Sequence, residues 1–204
     1  MGTMLSTIQL KNQQQLSRET IEIRIRDYLQ KKGWQPVGKK SGAINYSIVF
    51  SDGDWITLTS TAYTLEAAFE GEEQVVQELA RVFNTCCIQT IVYDSDILFL
   101  VLVDGETGEV DRVAVGNVLE EDLDGSKFTL ASGNQACWQP LLVSGATWEQ
   151  LIDTWRKPYT LVEDALAQTA LLLGMEPKRA TVDYSYWEEV AQDDPAVTVD
   201  YYVL

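Results

Sequence analysis

The chain has 204 residues, 46% of them apolar, with 15 Lys and Arg, 31 Asp and Glu, three Cys and no His. That apolar fraction is globular and the length suffices for a sizeable core, while the missing histidine excludes Ser/His/Asp and Cys/His catalysis, His-ligated zinc and a histidine pH switch. A net charge of −16 opposes contact with a phosphate backbone, so no nucleic-acid partner is expected.

The charge is uneven. Residues 1–40 hold eight Lys and Arg against three Asp and Glu, whereas residues 41–204 hold seven against 28. This reads as a basic first helix lying beside an acidic body, with a basic handle for a separate partner as the alternative. Met4 to Leu10 fits a short strand. Ser17 is placed to cap a helix running to about Lys32, with Gly33 as its stop, and Ile21, Ile25, Tyr28 and Leu29 share one face. The alternation of Ile21, Ile23 and Ile25 also suits a strand. Asn45 to Phe50 and Trp55 to Ser60 flank Ser51-Asp52-Gly53-Asp54, a hairpin signal.

A helix is expected over about Glu72 to Phe83, with Val75, Val76, Leu79, Val82 and Phe83 inward and Glu72 and Glu73 in its first turn. A start near Leu65, with Gly71 inside, is the alternative. Ile88 to Tyr93, Ile97 to Val103 and Glu109 to Val115 read as strands, the last two joined by Asp104-Gly105-Glu106-Thr107-Gly108. Ile97 to Val103 is apolar throughout, so it belongs in the middle of a sheet covered on both faces. It is also the longest strictly apolar run, at seven residues. A membrane helix needs about 20.

Residues 117–135 are polar, acidic and glycine-containing, the expected loop or internal boundary. Thr147 with Gln150, and Thr160 with Glu163, are capping-box patterns that open two helices. The first presents Trp148, Leu151, Ile152 and Trp155. The second presents Val162, Ala165, Leu166, Thr169, Ala170 and Leu173, widened by Leu171 and Leu172, and ends at Gly174 and Pro177. Strands are expected around Thr181 to Tyr186 and Val197 to Val203. The fold class is therefore α+β: a largely antiparallel sheet with flanking helices and a C-terminal helical hairpin, read as one domain over 1–204.

Four groups of residues invite chemistry. Asp94 and Asp96 follow an apolar strand, and two hard oxygens at that spacing suit Mg²⁺ or Mn²⁺ beside a diphosphate; an ordinary Asp-Ser-Asp hairpin turn is the favoured explanation. Glu120, Asp122, Asp124 and Gly125 match the first half of a calcium loop, but Ala131 stands where the closing Glu belongs. Glu120, Glu121, Asp122 and Asp124 then read as a solvated acidic turn. Asp104, Glu106, Glu109 and Asp111 read as solvent-facing acids. Cys86 and Cys87 are adjacent and Cys137 is distant, which argues against a disulfide framework or a four-cysteine zinc site. With no signal-like start, the chain is expected to be cytoplasmic with reduced, packed thiols and no cofactor. Trp187 is the tryptophan expected to be exposed, among Tyr184, Tyr186, Glu188 and Glu189, an acidic-aromatic group suited to a protein contact.

Trp55-Ile56-Thr57-Leu58, Leu79-Ala80, Val92-Tyr93-Asp94-Ser95-Asp96-Ile97-Leu98 and Gly108-Glu109-Val110-Asp111 resemble a group of uncharacterised bacterial α+β proteins over about residues 44–117. That group resembles polymorphic-toxin immunity proteins in size, acidity and element pattern. The resemblance implies no catalytic residue. The expectation is a non-catalytic, acidic cytosolic protein that holds a basic protein partner through Glu120, Glu121, Asp122, Asp124, Trp187, Glu188 and Glu189, toxin neutralisation being its sharpest form. A metal-dependent enzyme acting on small phosphorylated or glycosyl substrates through Asp94 and Asp96 is one alternative. A structural subunit whose tail after Ala180 adds a strand to a neighbour is the other.

Overall fold

The computed structural model describes residues 5–38, 45–50, 53–60, 74–182, 186–193 and 198–203. In chain order these form β1 (Leu5–Lys11), α1 (Arg18–Lys31), β2 (Gln35–Val37), β3 (Asn45–Phe50), β4 (Trp55–Ser60), α2 (Gln74–Phe83), β5 (Cys86–Tyr93), β6 (Ile97–Asp104) and β7 (Val110–Gly116). A 3-10 turn (Glu120–Leu123), β8 (Thr129–Leu130), α3 (Gln135–Trp138) and a second 3-10 turn (Gln139–Leu141) follow. The chain closes with α4 (Trp148–Arg156), α5 (Val162–Leu173), α6 (Pro177–Ala180), α7 (Trp187–Asp193) and β9 (Thr198–Val203).

The strands make one sheet, ordered β2-β9-β3-β4-β1-β5-β6-β7-β8. Every pairing is antiparallel except β7 with β8. Side chains alternate across a strand, so β6 divides its apolar run between two cores. Phe99, Val101 and Val103 join Ile21, Ile25 and Leu29 of α1 and Val76, Leu79 and Phe83 of α2. Leu98, Leu100 and Leu102 join Leu151 and Trp155 of α4 and Val162, Leu166 and Leu173 of α5. The central, twice-covered strand expected from composition is thus β6, and the α+β class with its C-terminal helical hairpin holds. Burying each of these Leu, Ile, Val and Phe side chains contributes about 1.5–3 kcal/mol before entropy is subtracted.

The helix signals work as capping chemistry dictates. Ser17 accepts from the Thr20 N–H at 3.3 Å. Thr147 and Gln150 form a reciprocal capping box. Gly174 ends α5 at φ 74°, a left-handed cap that favours glycine. The inward face named for α5 is the buried one.

Several expectations fail for identifiable reasons. Thr160 and Glu163 form no capping box. Leu161 occupies the cap position without a side-chain bond. The Val162 N–H instead donates to the Ser95 carbonyl at 3.0 Å, and Glu163 accepts from the Ser95 hydroxyl at 2.7 Å. A tertiary partner thus takes over the local cap. In α2, Val82 is exposed and Ala80 is buried, because Val76, Leu79, Ala80 and Phe83 follow the i, i+3, i+4, i+7 spacing that Val82 does not. Leu171 is 52% exposed rather than packed. Thr181 caps α6 instead of opening a strand, and the chain is helical from Trp187. Glu72, Glu73, Gly71, the earlier start near Leu65 and Tyr184 lie outside the described residues.

Basic residues of the first helix find partners within it and on neighbouring elements. Arg18 pairs with Glu22 at 2.9 Å and Lys32 with Glu78 at 2.8 Å. Arg26 hydrogen-bonds Tyr202 of β9. Among the described residues, no helix is long and apolar enough to cross a membrane.

Candidate functional site: an acidic turn between two anchors

The segment after β7 is held at both ends. Val118, Leu123 and Phe128 are buried in the core shared with α1 and α2. Phe128 meets Phe99 edge-on, with ring centroids 5.0 Å apart. Between these anchors the backbone makes its 3-10 turn. The Asp122 carboxylate accepts from the Leu119 N–H at 3.1 Å, which closes the turn. Gly125, at φ 78°, leads the chain out of it.

This geometry pushes the intervening side chains outward. Glu120, Glu121, Asp122 and Asp124 are all exposed. Leu119, beside them, is 59% exposed, so an apolar side chain stands among four carboxylates. Consecutive carboxylates lie well inside one Debye length, about 8 Å at physiological ionic strength, so a partner meets their summed field.

The remaining named residues divide. Trp187 is 1% exposed, packed with Val182, Ala191 and Val199, so the expectation that it is exposed is corrected. A helix start replaces the expected strand and turns its indole onto β9. Glu189 is exposed, and the Glu188 side chain lies outside the described ones. The acidic turn and Glu189 are therefore surface groups, and the aromatic member of the expected cluster is not.

Asp94 and Asp96 sit at the tip of the β5–β6 hairpin. Tyr93 pairs with Ile97, and the Asp96 N–H donates to the Tyr93 carbonyl at 3.1 Å. Asp94 and Ser95 have φ of 50° and 59°, which a short polar residue at a turn tolerates. No group of three or more Cys, Asp and Glu among the described residues is arranged to hold a metal ion. The tail strand β9 is hydrogen-bonded on both sides, to β2 and to β3, within this same chain.

The turn between β6 and β7 is more structured than a set of solvated acids. Asp104 accepts from the Glu106 and Thr107 N–H groups at 2.8 and 2.9 Å. Asp111 accepts from the Trp138 indole N–H at 2.6 Å and the Asn134 N–H at 2.9 Å, fixing α3 to β7. Cys86 and Cys137 line a cavity of about 140 Å³ beside Asp104 and Glu109. Burial, then the Asp104 charge, pushes the Cys86 thiol up to about 11. Burial, then the Glu109 and Asp111 charges, does the same to Cys137, also to about 11. Both sulfurs stay protonated at neutral pH, so neither is poised as a nucleophile. Cys87 is fully buried.

Sequence reasoning missed a buried polar row across the sheet. Thr57 donates to the Gln9 side-chain oxygen Oε1 at 2.8 Å, the Gln9 Nε2 amide donates to the Thr7 hydroxyl at 3.2 Å, and the Thr7 and Thr90 hydroxyls are hydrogen-bonded. The signal was there: Thr57 and Thr59 alternate with Ile56 and Leu58, as Thr7 and Gln9 alternate with Ile8 and Leu10. No protein-family model, no curated protein and no solved structure matches this chain.

Proposed function

We propose that this chain is a non-catalytic, acidic binding protein that works in the cytoplasm and holds a basic protein partner against the turn at residues 119–124. Neutralisation of a basic toxin, in the manner of immunity proteins, is the sharpest form of that reading. The observation that carries it is Leu119, exposed on a turn anchored by buried Val118 and Leu123 and followed by Glu120, Glu121, Asp122 and Asp124. An apolar contact ringed by charge suits a partner with an apolar pocket in a basic rim. The carboxylates would speed encounter and make it salt-sensitive, and Leu119 would slow dissociation. Support also comes from the anchoring of the turn by Val118 and Leu123, which limits the ordering cost on binding.

The test is affinity capture from the native host's lysate, run in parallel with the parent chain and with a variant carrying Glu120→Gln, Glu121→Gln, Asp122→Asn and Asp124→Asn. The reading expects a basic protein held by the parent, released by high salt, and absent from the variant. A basic protein retained equally by both chains would move the contact off this turn.

A further inference from the structure

A cavity of about 450 Å³ opens where the β5–β6 turn, β7, β8 and the α4–α5 connection meet. Its volume falls in the range of about 300–1,000 Å³ typical of small-molecule sites. Asp96, Asn117, Arg156, Lys157, Trp155 and Tyr159 line it. The 164 residues after position 40 contain only seven Lys and Arg against 28 acids, yet two of those seven stand side by side here. Neither Arg156 nor Lys157 forms an ion pair among the described residues; Lys157 lies over the Tyr159 ring, 5.4 Å from its centroid.

The wall segments are tied to one another. The Asn117 N–H donates to the Asp96 carbonyl at 2.9 Å. A Cβ on Gly116 would lie 2.3 Å from that same carbonyl oxygen and 2.5 Å from Val162 Cγ1, so only glycine allows the three segments to meet. Ala131, also in the wall, is held at φ 41°, a left-handed conformation that a residue with a Cβ rarely adopts. Strain of this kind concentrates at ligand sites.

We propose that this cavity binds a small ring-bearing phosphate of the nucleoside monophosphate type. The Arg156 guanidinium and the Lys157 ammonium supply the donors that a phosphate needs. Tyr159, half-buried, supplies aromatic surface for a planar ring, while Trp155, buried against Trp138 and Trp148, only backs the wall. The Asp96 carboxylate accepts, and the Asn117 amide both donates and accepts, which matches the edge of a heterocyclic base. The site is independent of the acidic turn, although Gly116–Asn117 and Leu130–Ala131, the two ends of the loop that carries it, both line the cavity.

Isothermal titration of the full chain with AMP, GMP, CMP and UMP, and with inorganic phosphate as the ring-free control, tests this. At least one nucleotide should saturate with a Kd of roughly 1 mM or tighter. Arg156→Gln with Lys157→Gln should weaken it at least about tenfold at unchanged melting temperature, since both side chains are exposed. Asn117→Asp, which adds a carboxylate to the wall, should weaken it too. Three results would overturn the proposal: no nucleotide saturates, inorganic phosphate binds as tightly as the best nucleotide, or affinity survives in both variants.

Discussion

Asp111 offers a quantitative test of how β7 holds the α3 region. Its carboxylate accepts from the Trp138 indole N–H at 2.6 Å and from the Asn134 N–H at 2.9 Å. Trp138 is fully buried and packs edge-on against Trp155, centroids 5.1 Å apart. Asp111→Ala strands the indole donor, at about 1–3 kcal/mol. The Asn134 N–H lies on an exposed residue and can turn to water, so it adds no more than about 1 kcal/mol. The sum is a loss of roughly 1–4 kcal/mol. Asp111→Asn keeps an oxygen facing both donors and gives up only the charge, so its loss should stay near 1 kcal/mol. Urea unfolding followed by circular dichroism reads both variants as shifts in midpoint at constant slope. A third variant, Trp138→Phe, removes the donor, and in that background Asp111→Ala should lose most of its effect. The reasoning fails if Asp111→Ala stays within about 0.5 kcal/mol of the parent, or if Asp111→Asn is equally damaging.

Three further outcomes follow from the same geometry. Alkylation of Cys86 and Cys137 in the folded chain should rise with a pH midpoint near 11, and a midpoint near the ordinary value of 9.0 would show that burial and the neighbouring carboxylates do not hold those thiols. Burial pushes the Glu78 carboxyl up, but hydrogen bonds from Lys32, Tyr28 and Gln74 outweigh it and leave the group below its usual 4.5. Its contribution is therefore present above pH 4.5 and is lost as pH falls through the depressed folded value. Glu78→Gln should accordingly be less stable than the parent near neutrality and converge with it in acid; a constant gap across that range would contradict the assignment. Gly116→Ala, whose Cβ meets backbone at 2.3 Å, should cost about 3 kcal/mol or more in the same urea assay. A neutral result there would mean that the segments of Asp96, Gly116 and Val162 can separate freely.

Local chemistry was legible where one signal acted alone. The caps at Ser17 and Thr147, the stop at Gly174, the tip at Asp94-Ser95-Asp96 and the uninterrupted apolar run of β6 all depend on neighbours in sequence. Reading fails where a distant partner competes. Glu163 reaches Ser95 rather than its own helix cap. Asp111 leaves the solvent for an indole 27 residues on. Trp187 looks exposed among acids until β9 supplies its covering surface. β2, three residues long and paired among the described residues with β9, has no periodicity to betray it. The acidic turn was visible because its residues are contiguous. Leu119, its apolar centre, stood out only once Val118 and Leu123 were seen to take the core positions on either side. The cavity beside Arg156 draws on four separate stretches of chain and left no sequence signature.

The proposed binding face is built on Leu119 and its four carboxylates. Its most direct test is the association rate of the captured basic partner with the parent chain and with the quadruple neutral variant, measured by stopped flow across a salt series. The account expects the parent rate to fall steeply with salt. The variant should associate about tenfold or more slowly at low salt and show a nearly flat salt dependence, with an unchanged melting temperature. Equal rates and equal salt slopes for the two chains would contradict it.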